Sequence, residues 1–362
     1  MNGFNLFRVS LTDIFCKILH DLFGMMTTLL KKSPLLLFCV LTACMPMIHQ
    51  PGLKNNTPYL TDNLYSTEDG ASLPLRQWLP KTRTKAVLIA LHGFNDYSNF
   101  FDSPGAYFSG QGIACFAYDQ RGFGAAPKRG SWAGIQAYTD DLRGLIRLIK
   151  QRYPRQPLYL LGESMGGAVI ITAMGQVSMP EVDGAILVAP ALWARQTMPW
   201  YQTSLLWTLA HTFPWLTLTG DGVGVRASDN IKMLRALGRD PMVIKKTRVE
   251  TIYGLTNLMD AAFNSANQLG GNTLILYGEK DEIIPKKPTY DFLQRFLSSE
   301  KERKTVAFYQ QGYHMLLRDL HARIPWEDIL AWINLDSNKL PSGADRRARE
   351  VLKAVKVLSK SG

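Results

Sequence analysis

Ser164 stands in the segment Gly162-Glu163-Ser164-Met165-Gly166, directly after a short apolar run that opens at Leu158. The run predicts a buried strand, and the residues from Met165 to Met174 predict a helix that follows it at once. A serine on so sharp a turn projects its hydroxyl above the sheet, and the flanking glycines remove side chains that would collide there. The amide of Met165, at the helix start, can hold an oxyanion. The segment predicts a nucleophilic serine, and a small polar residue that caps a helix is the alternative.

A serine nucleophile needs a general base, and in this strand-turn-helix geometry the histidine follows the serine in the chain. Three of the six histidines precede Ser164. His211 lies in a tryptophan-rich segment, and His321 is expected one or two turns into a helix. His314 follows the strand-like run 304–309 and a short loop, so it lies where a strand ends. We therefore predict His314 as the general base.

The base needs an acid to orient it, and that acid is expected between nucleophile and base in the chain. The run 272–278 predicts another buried strand, and Glu279, Asp281 and Glu282 follow its end. We predict Asp281 as the acid, with Glu279 and Glu282 as substitutes. Each of these charges alone would more often be a solvated loop charge. Together with the two preceding strand ends they predict a Ser-Asp-His triad.

The remaining pattern predicts an α/β fold. Further apolar runs of the buried-strand type occupy 86–91, 113–118 and 184–189, and helical spacing occupies 136–153. Buried strands that alternate with helices indicate a mostly parallel central sheet covered by helices on both faces. Two runs on either side of Asp69-Gly70 predict a hairpin of edge strands. Cys115 lies inside one of the apolar runs and is expected to be a buried strand residue.

These motifs resemble those of the α/β-hydrolase superfamily and, within it, the monoacylglycerol lipase and lysophospholipase-like branch. The resemblance covers roughly Leu60 to Leu335. It implies that the backbone N–H of Phe94 is a second oxyanion donor beside that of Met165. His92 precedes the nucleophile in the chain and lies on the oxyanion side, so it is expected to anchor a loop rather than to act as a base. The motifs that carry it are Leu91-His92-Gly93-Phe94, Tyr118-Asp119-Gln120-Arg121-Gly122-Phe123-Gly124, Gly162-Glu163-Ser164-Met165-Gly166-Gly167, Tyr277-Gly278-Glu279-Lys280-Asp281 and Gly312-Tyr313-His314.

Two positions depart from the pattern of many members of this family. Glu163 stands before the nucleophile where many members have histidine, and Phe94-Asn95 continue the His-Gly loop where many have small residues. Neither change removes a catalytic group. We expect both to bear on the subfamily and the substrate.

Residues 193–271 interrupt the alternation of strands and helices. The segment is rich in tryptophan, and it predicts a helical cap over the carboxyl ends of the strands, where a ligand pocket belongs. We expect most of its aromatic residues to form the core of the cap and some to line an acyl-binding channel. The glycine-rich run 222–227 follows no strand, so a nucleotide site is not predicted.

The first residues carry a targeting signal. Lys31-Lys32 precede a short apolar segment that ends at Cys44, as in a bacterial lipoprotein signal, and the cysteine is the predicted lipidation site. A buried or amphipathic N-terminal helix is the alternative. Translation is expected to begin at Met25 or Met26. Met45, directly after the cysteine, favours the outer membrane if the organism has two membranes. The predicted location is therefore the bacterial cell envelope, with the protein held by a lipid anchor.

Composition and charge bound the remaining possibilities. A chain of 362 residues with 46% hydrophobic residues can form one large α/β domain with an insertion. The formal net charge of +11 lies partly in the C-terminal tail. That tail could form a basic amphipathic helix on an anionic bilayer, or it could be a solvated, frayed terminus. Without a nucleic-acid motif, a metal-ligand spacing or a phosphate-binding loop, we predict no nucleic-acid partner, no metal and no cofactor.

The predicted function is hydrolysis of monoacyl lipid esters, monoacylglycerols or lysophospholipids, through a Ser-Asp-His triad and an acyl-enzyme. A proline-iminopeptidase-like peptidase is one alternative, and a non-enzymatic envelope-associated binding protein is the other. The predicted organisation is a signal and lipidation segment (1–44), a linker (45–59), the first part of the hydrolase core (60–192), a cap (193–271), the second part of the core (272–336) and a basic tail (337–362).

Overall fold

The computed structural model describes residues 46–220, 224–298, 303–334 and 339–358. Its strands form a large sheet and a small ribbon. In these ranges the large sheet contains β1 (Tyr59–Leu60), β2 (Leu64–Ser66), β3 (Ser72–Trp78), β4 (Ala86–Leu91), β5 (Ile113–Tyr118), β6 (Leu158–Glu163), β7 (Gly184–Val188), β10 (Thr273–Gly278) and β11 (Lys304–Tyr309). The ribbon pairs β8 (Thr217–Thr219) with β9 (Lys246–Arg248).

The large sheet is parallel over most of its width. Its strand order is β1-β2-β3-β5-β4-β6-β7-β10-β11. All neighbours from β5 to β11 pair in parallel, whereas β1, β2 and β3 form an antiparallel edge next to β5. The predicted parallel sheet and the predicted edge hairpin are both confirmed. Parallel order brings the carboxyl ends of β4, β6, β10 and β11 to the same edge, where the motif residues lie.

The helices of the described ranges are α1 (Asp102–Gly110), α2 (Ile135–Arg152), α3 (Met165–Met174), α4 (Trp200–Thr212), α5 (Ile231–Arg239), α6 (Val249–Asn264), α7 (Lys286–Leu297), α8 (Arg323–Asn334) and α9 (Ala344–Leu358). Short 3₁₀ turns occupy Ser98–Phe101 and Arg195–Thr197. The prediction for His321 is wrong in detail, because this residue lies in the turn before α8 and not inside a helix.

Two cores lie on opposite faces of the sheet, because successive strand side chains point to opposite sides. Val87 and Ile89 of β4 belong to a core that α2, α3, α6 and α7 cover. Leu88 and Ala90 of the same strand belong to a second core, covered by α1 and α8. Burial of each such large side chain contributes about 1.5–3 kcal/mol. Cys115 is fully buried in the second core, as predicted, and burial raises the pKa of its thiol.

The segment predicted to be a cap has a different boundary in the structure. Helix α6 packs its residues Leu258, Met259 and Phe263 into the main core, so it covers the sheet like the other core helices. The part outside that core consists of α4, α5 and the ribbon β8–β9. Trp200, Trp207 and Trp215 are 78%, 56% and 53% exposed, which contradicts their predicted place in the core of the cap.

The two predicted terminal segments lie against the domain where the structure describes them. In the predicted linker, the backbone N–H of His49 donates to Trp132 and that of Gly52 donates to Asp69. In the described part of the C-terminal tail, α9 lies along β11, the edge strand of the sheet. Its residues Ala348, Val351 and Leu352 pack against the main core. That part of its apolar face therefore contacts protein rather than lipid.

The signal segment with Cys44 lies outside the described residues. Among the residues that the structure describes, no helix is both long and apolar enough to cross a membrane.

Candidate active site

Ser164 lies on the turn between β6 and α3 with a strained backbone. Its φ of 52° and ψ of −113° place an L-residue in a sparsely populated region, which costs on the order of 1–3 kcal/mol. The turn is held on both sides. The Ser164 N–H donates to the carbonyl of Val188, and its carbonyl accepts from Ala168 and Ala191. Neighbouring elements therefore maintain a conformation that the serine would not adopt by itself.

Close packing explains the glycines of this turn. A side chain at Gly166 would overlap the carbonyl of Leu91, at the end of β4. A side chain at Gly162 would lie 2.5 Å from the backbone of Gly166 and Gly167. Because both positions lack a side chain, α3 can begin directly above β4 and β6. The serine is then carried to the edge where the other motif residues lie.

His314 and Asp281 form a buried pair. The His314 Nδ1–H donates to Asp281 Oδ2 at 2.8 Å, and Asp281 Oδ1 accepts from the amides of Ile283 at 2.8 Å and Ile284 at 3.0 Å. Because Nδ1 carries the proton, Nε2 is the acceptor nitrogen of the neutral ring. The loops that carry these residues approach closely: a side chain at Gly278 would lie 2.5 Å from the backbone of Gly312.

The two substitutes for Asp281 face other partners. Glu279 forms an ion pair with Arg347 of α9, and the carboxylate of Glu282 accepts from the backbone N–H of Arg226. Of the three carboxylates after β10, the structure thus brings Asp281 to His314.

The surroundings of His314 raise its pKa above the usual 6.5. Burial alone lowers this pKa, but the charge of Asp281 and the hydrogen bond to it raise it by more. Glu163 raises it further, and Arg318 lowers it. The imidazolium form is therefore stabilised by two carboxylates.

Ser164 and His314 lie at the carboxyl ends of β6 and β11, and both are nearly buried, at 9% and 6% exposure. Within the described residues the Ser164 hydroxyl makes no hydrogen bond to His314. Catalytic hydrogen bonds are often long or poorly aligned in structures without substrate. The His314 loop is nevertheless joined to the Ser164 turn, because Arg318 Nη2 lies 2.8 Å from Glu163 Oε1.

Two backbone amides are available beside Ser164. Among the described residues, neither the N–H of Phe94 nor that of Met165 donates to a protein acceptor. The ring of Phe94 packs edge-on against Phe123 at 5.6 Å, which orients the loop after β4. Met165 is fully buried at the start of α3. A side chain at Gly93 would lie 3.4 Å from the Ser164 Cβ, so the loop that carries Phe94 runs next to the serine turn.

His92 anchors the loop after β4. Its Nδ1–H donates to the carbonyl of Gly93 at 2.8 Å, and its Nε2 accepts from the backbone N–H of Gln120 at 2.9 Å. Burial lowers the pKa of His92, and the hydrogen bond that its Nε2 accepts requires a neutral ring. Both ring nitrogens are occupied, which leaves none to act as a base. The polar turn after β5, which contains Gln120, is itself held in place by ion pairs of Arg121 with Asp69 and Asp141.

Sequence reasoning missed a second buried charge cluster at the same edge. Arg318 donates to Asp96 at 2.7 Å and to Glu163 at 2.8 Å. Burial raises the pKa of Glu163, an effect that the charge of Arg318 opposes and that of Asp96 reinforces. One signal was present in the sequence: Glu163 ends a run of the buried-strand type, and a buried carboxylate requires a cationic partner.

The aromatic residues predicted to line an acyl-binding channel in the cap lie in different environments. Trp193 and Met198 pack against the main core, whereas three other tryptophans are exposed. A cavity of about 650 Å³ lies elsewhere, between the turn after β11 and the start of α9. Its walls include His321, Arg346 and Arg347 but not Ser164. No group of three or more His, Cys, Asp or Glu side chains within the described ranges could hold a metal ion.

The described acidic side chains of the cap all have partners. Asp240 accepts from the Tyr97 hydroxyl at 2.8 Å, and Asp229 accepts from the Leu320 amide at 2.8 Å. The other two carboxylates are engaged as well, Asp260 with Arg195 and Glu250 with Arg248.

Comparison with known proteins gives the class. Residues 82–321 match the family Hydrolase_4, described as serine aminopeptidase, S33, and the chain belongs to this family. It is 24% identical over 278 residues to a monoacylglycerol lipase of Mycolicibacterium smegmatis, covering 75% of this chain and 96% of that protein. It is 26% identical over 269 residues to the monoglyceride lipase of Mus musculus, covering 73% and 87%.

Solved structures agree on the fold. The monoacylglycerol lipase of Paleococcus ferrophilus has a TM-score of 0.61 at 19% identity, covering 73% of this chain and 99% of that one. A soluble variant of the Saccharomyces cerevisiae monoglyceride lipase with a substrate analogue has a TM-score of 0.63 at 21% identity, covering 79% and 98%. The predicted α/β-hydrolase fold and the monoacylglycerol lipase branch are confirmed, and the protein is a serine ester hydrolase.

Proposed function

We propose that this protein hydrolyses monoacyl lipid esters, either monoacylglycerols or lysophospholipids, and that Ser164, Asp281 and His314 are its catalytic triad. One observation carries the assignment: the buried His314–Asp281 hydrogen bond of 2.8 Å at the sheet edge where Ser164 occupies its strained turn. Relatives named monoacylglycerol or monoglyceride lipase support the substrate class.

In this proposal Nε2 of His314 takes the proton of Ser164 as the serine oxygen attacks the ester carbonyl. The new C–O bond places negative charge on the carbonyl oxygen, which the N–H groups of Phe94 and Met165 hold. Asp281 keeps the proton on Nδ1 and stabilises the imidazolium. The C–O bond to the alcohol then breaks as His314 protonates the leaving oxygen. Water hydrolyses the acyl-enzyme by the same steps, and loss of one oxyanion donor would cost about 3 kcal/mol of transition-state stabilisation.

A peptidase remains the second candidate, because the description of the family names a serine aminopeptidase. Recognition of a free amino group at the cap would need an unpaired carboxylate. The described carboxylates of the cap are engaged with other groups, for example Asp260 with Arg195. This favours ester hydrolysis over removal of an N-terminal residue.

A substrate panel tests the proposal. Monoacylglycerols, lysophospholipids, short aryl esters and aminoacyl amides are assayed with the wild-type protein and with Ser164→Ala as the background. We expect Ser164-dependent release of fatty acid from one or both monoacyl lipids, at higher kcat/KM than for the aryl esters. Turnover of aminoacyl amides without turnover of acyl esters would select the peptidase instead.

We also propose that the enzyme works at a membrane of the bacterial cell envelope. Lipidation at Cys44 would tether it there, with the outer membrane favoured. The exposed side chains of Trp200, Trp207 and Trp215 support contact with lipid, since tryptophan favours the membrane–water interface. The basic tail is a weaker candidate for this contact, because part of its apolar face packs against the core.

Sedimentation with vesicles tests the cap surface separately from the anchor. A protein that begins at Pro46 and carries Trp200→Ser and Trp207→Ser is expected to bind zwitterionic vesicles at least tenfold more weakly than its parent, because each removed indole loses about 1–3 kcal/mol of apolar contact. Val177→Ser, which changes another exposed apolar residue, is the matched control. Equal binding by all three proteins would remove the cap from the proposal.

A further inference from the structure

One guanidinium at the active-site edge contacts two carboxylates. Arg318 Nη2 lies 2.7 Å from Asp96 Oδ2 and 2.8 Å from Glu163 Oε1. The side chains of Arg318, Asp96 and Glu163 are 10%, 8% and 2% exposed. Buried ion pairs of this kind often contribute little to stability, because the loss of hydration offsets the attraction.

These three residues come from the three loops that carry the proposed machinery. Asp96 lies two residues after Phe94, and its backbone N–H donates to Gly93 at 3.3 Å. Glu163 ends β6 and directly precedes Ser164. Arg318 follows His314 in the turn before α8. The guanidinium therefore joins the oxyanion loop, the nucleophile turn and the base loop at one point.

The charges of Arg318, Asp96 and Glu163 do not balance, and some of their polar atoms lack hydrogen-bond partners in the part of the chain that the structure describes. Two carboxylates share one guanidinium, so their negative charge is only partly balanced, and the charge of Glu163 acts on His314. Among the described residues, Glu163 Oε2 and Arg318 Nε are buried without a hydrogen-bond partner. Native proteins leave few buried polar groups unpaired, so each one that remains calls for an explanation. The unpaired oxygen belongs to the residue next to the nucleophile.

We propose that Arg318, Asp96 and Glu163 are positioning residues: Arg318 holds the three loops in register, and the charge of Glu163 stabilises the His314 imidazolium that forms during catalysis. This inference rests on the triad of the proposed function. The charged groups that surround His314 are its partner Asp281, then Glu163 and Arg318, with Asp96 and Asp319 farther along the same loops. None of the three positioning residues needs to touch the substrate.

The sign of the pH effect follows from charge. Catalysis requires neutral His314, so kcat/KM falls as pH decreases through the pKa of that histidine. Glu163 raises this pKa. In Glu163→Gln the carboxylate is lost while an oxygen remains to accept from Arg318. We expect the acidic limb of kcat/KM to move to lower pH by roughly 0.5–1 unit and kcat at the plateau to fall about three- to tenfold, because one pKa unit corresponds to a tenfold change.

Asp96→Asn is the matched control. It also removes one negative charge from Arg318 without changing side-chain shape, but its carboxylate belongs to the oxyanion loop and is not among the main charges that act on the pKa of His314. We expect it to lower kcat through looser loops and to leave the acidic limb within roughly 0.2 unit of wild type. Glu163→Met, which removes the charge and keeps a side chain of similar length, serves as a second neutral replacement if Glu163→Gln does not fold. Melting temperatures identify folded variants.

Three outcomes are decisive. A shifted limb in the Glu163 variants together with an unshifted limb in Asp96→Asn supports the proposal. Wild-type limbs and rates in the folded Glu163 variants overturn it and leave the triad intact. A wild-type protein that shows no Ser164-dependent turnover removes the proposed function itself, and this inference with it.

Discussion

Replacement of Ser164 by alanine is expected to lower kcat for a p-nitrophenyl ester by about a millionfold relative to wild type. The loss is large because the hydroxyl is the only group on the turn that can form the acyl-enzyme. The strained backbone of the turn is retained, with φ of 52° in the wild-type structure. Alanine fits the same space, since Ser164 is only 9% exposed and its Cβ remains. Folding is therefore expected to be preserved.

Two measurements check this result. Steady-state kinetics give the loss in kcat, and a fluorophosphonate probe with peptide mapping locates the reactive serine. The matched control is Ser109→Ala in α1, whose hydroxyl donates only to the carbonyl of Ala106. The control is expected to keep wild-type turnover and labelling. Near-wild-type turnover by Ser164→Ala would refute the nucleophile assignment, and failure of the folded wild-type protein to react would favour a non-enzymatic role.

Replacement of Asp281 by asparagine is expected to lower kcat about 10⁴-fold. The carboxylate accepts from His314 Nδ1–H on one oxygen and from two backbone amides on the other. An asparagine oxygen can keep the two amide bonds only if its NH₂ group faces Nδ1. That contact favours the tautomer with the proton on Nε2, which cannot accept a proton from serine. The charge that raises the pKa of His314 is lost as well, so the residual activity should extend to lower pH.

The kcat of Asp281→Asn measures the loss of activity, and the pH profile of its kcat/KM measures the shift of the acidic limb. Glu279→Gln is the matched control, because this carboxylate follows the same strand but pairs with Arg347. We expect Glu279→Gln to retain activity within about threefold and to keep the acidic limb of wild type. If Glu279→Gln instead lost the larger share of activity, the assignment of the acid would move to Glu279.

Much of this architecture could be derived from local pattern. Continuous apolar runs such as 86–91 and 113–118 are recognisable as buried parallel strands, because only a strand covered on both faces is apolar at every position. The predicted helix 165–174 has the same bounds in the structure. The glycines around Ser164 also predicted the sharp turn, since close packing there excludes a side chain. These features depend on residues near one another in the chain.

Other features depended on distant residues, and only the tertiary structure decided them. Three carboxylates follow β10, and the approach of Gly278 to Gly312 decides that Asp281 meets His314. Helix α6 was predicted to be part of the cap, whereas its apolar side packs into the main core. The tail helix likewise had an apolar stripe whose partner, the main core, could not be read from spacing alone.

The charge cluster of Arg318, Asp96 and Glu163 shows most clearly which features the sequence pattern does not predict. Periodicity predicts which side chains are buried, but it does not predict which buried charges meet. Asp96 and Arg318 are separated by 222 positions in the chain, and the folding of the sheet places both against Glu163. The sequence by itself determined the strands, the serine turn and the order of the motif residues, because short-range packing and turn chemistry govern these. The partners of His314 and Arg318 were decided by the tertiary structure, because electrostatic pairing acts through space between strand ends.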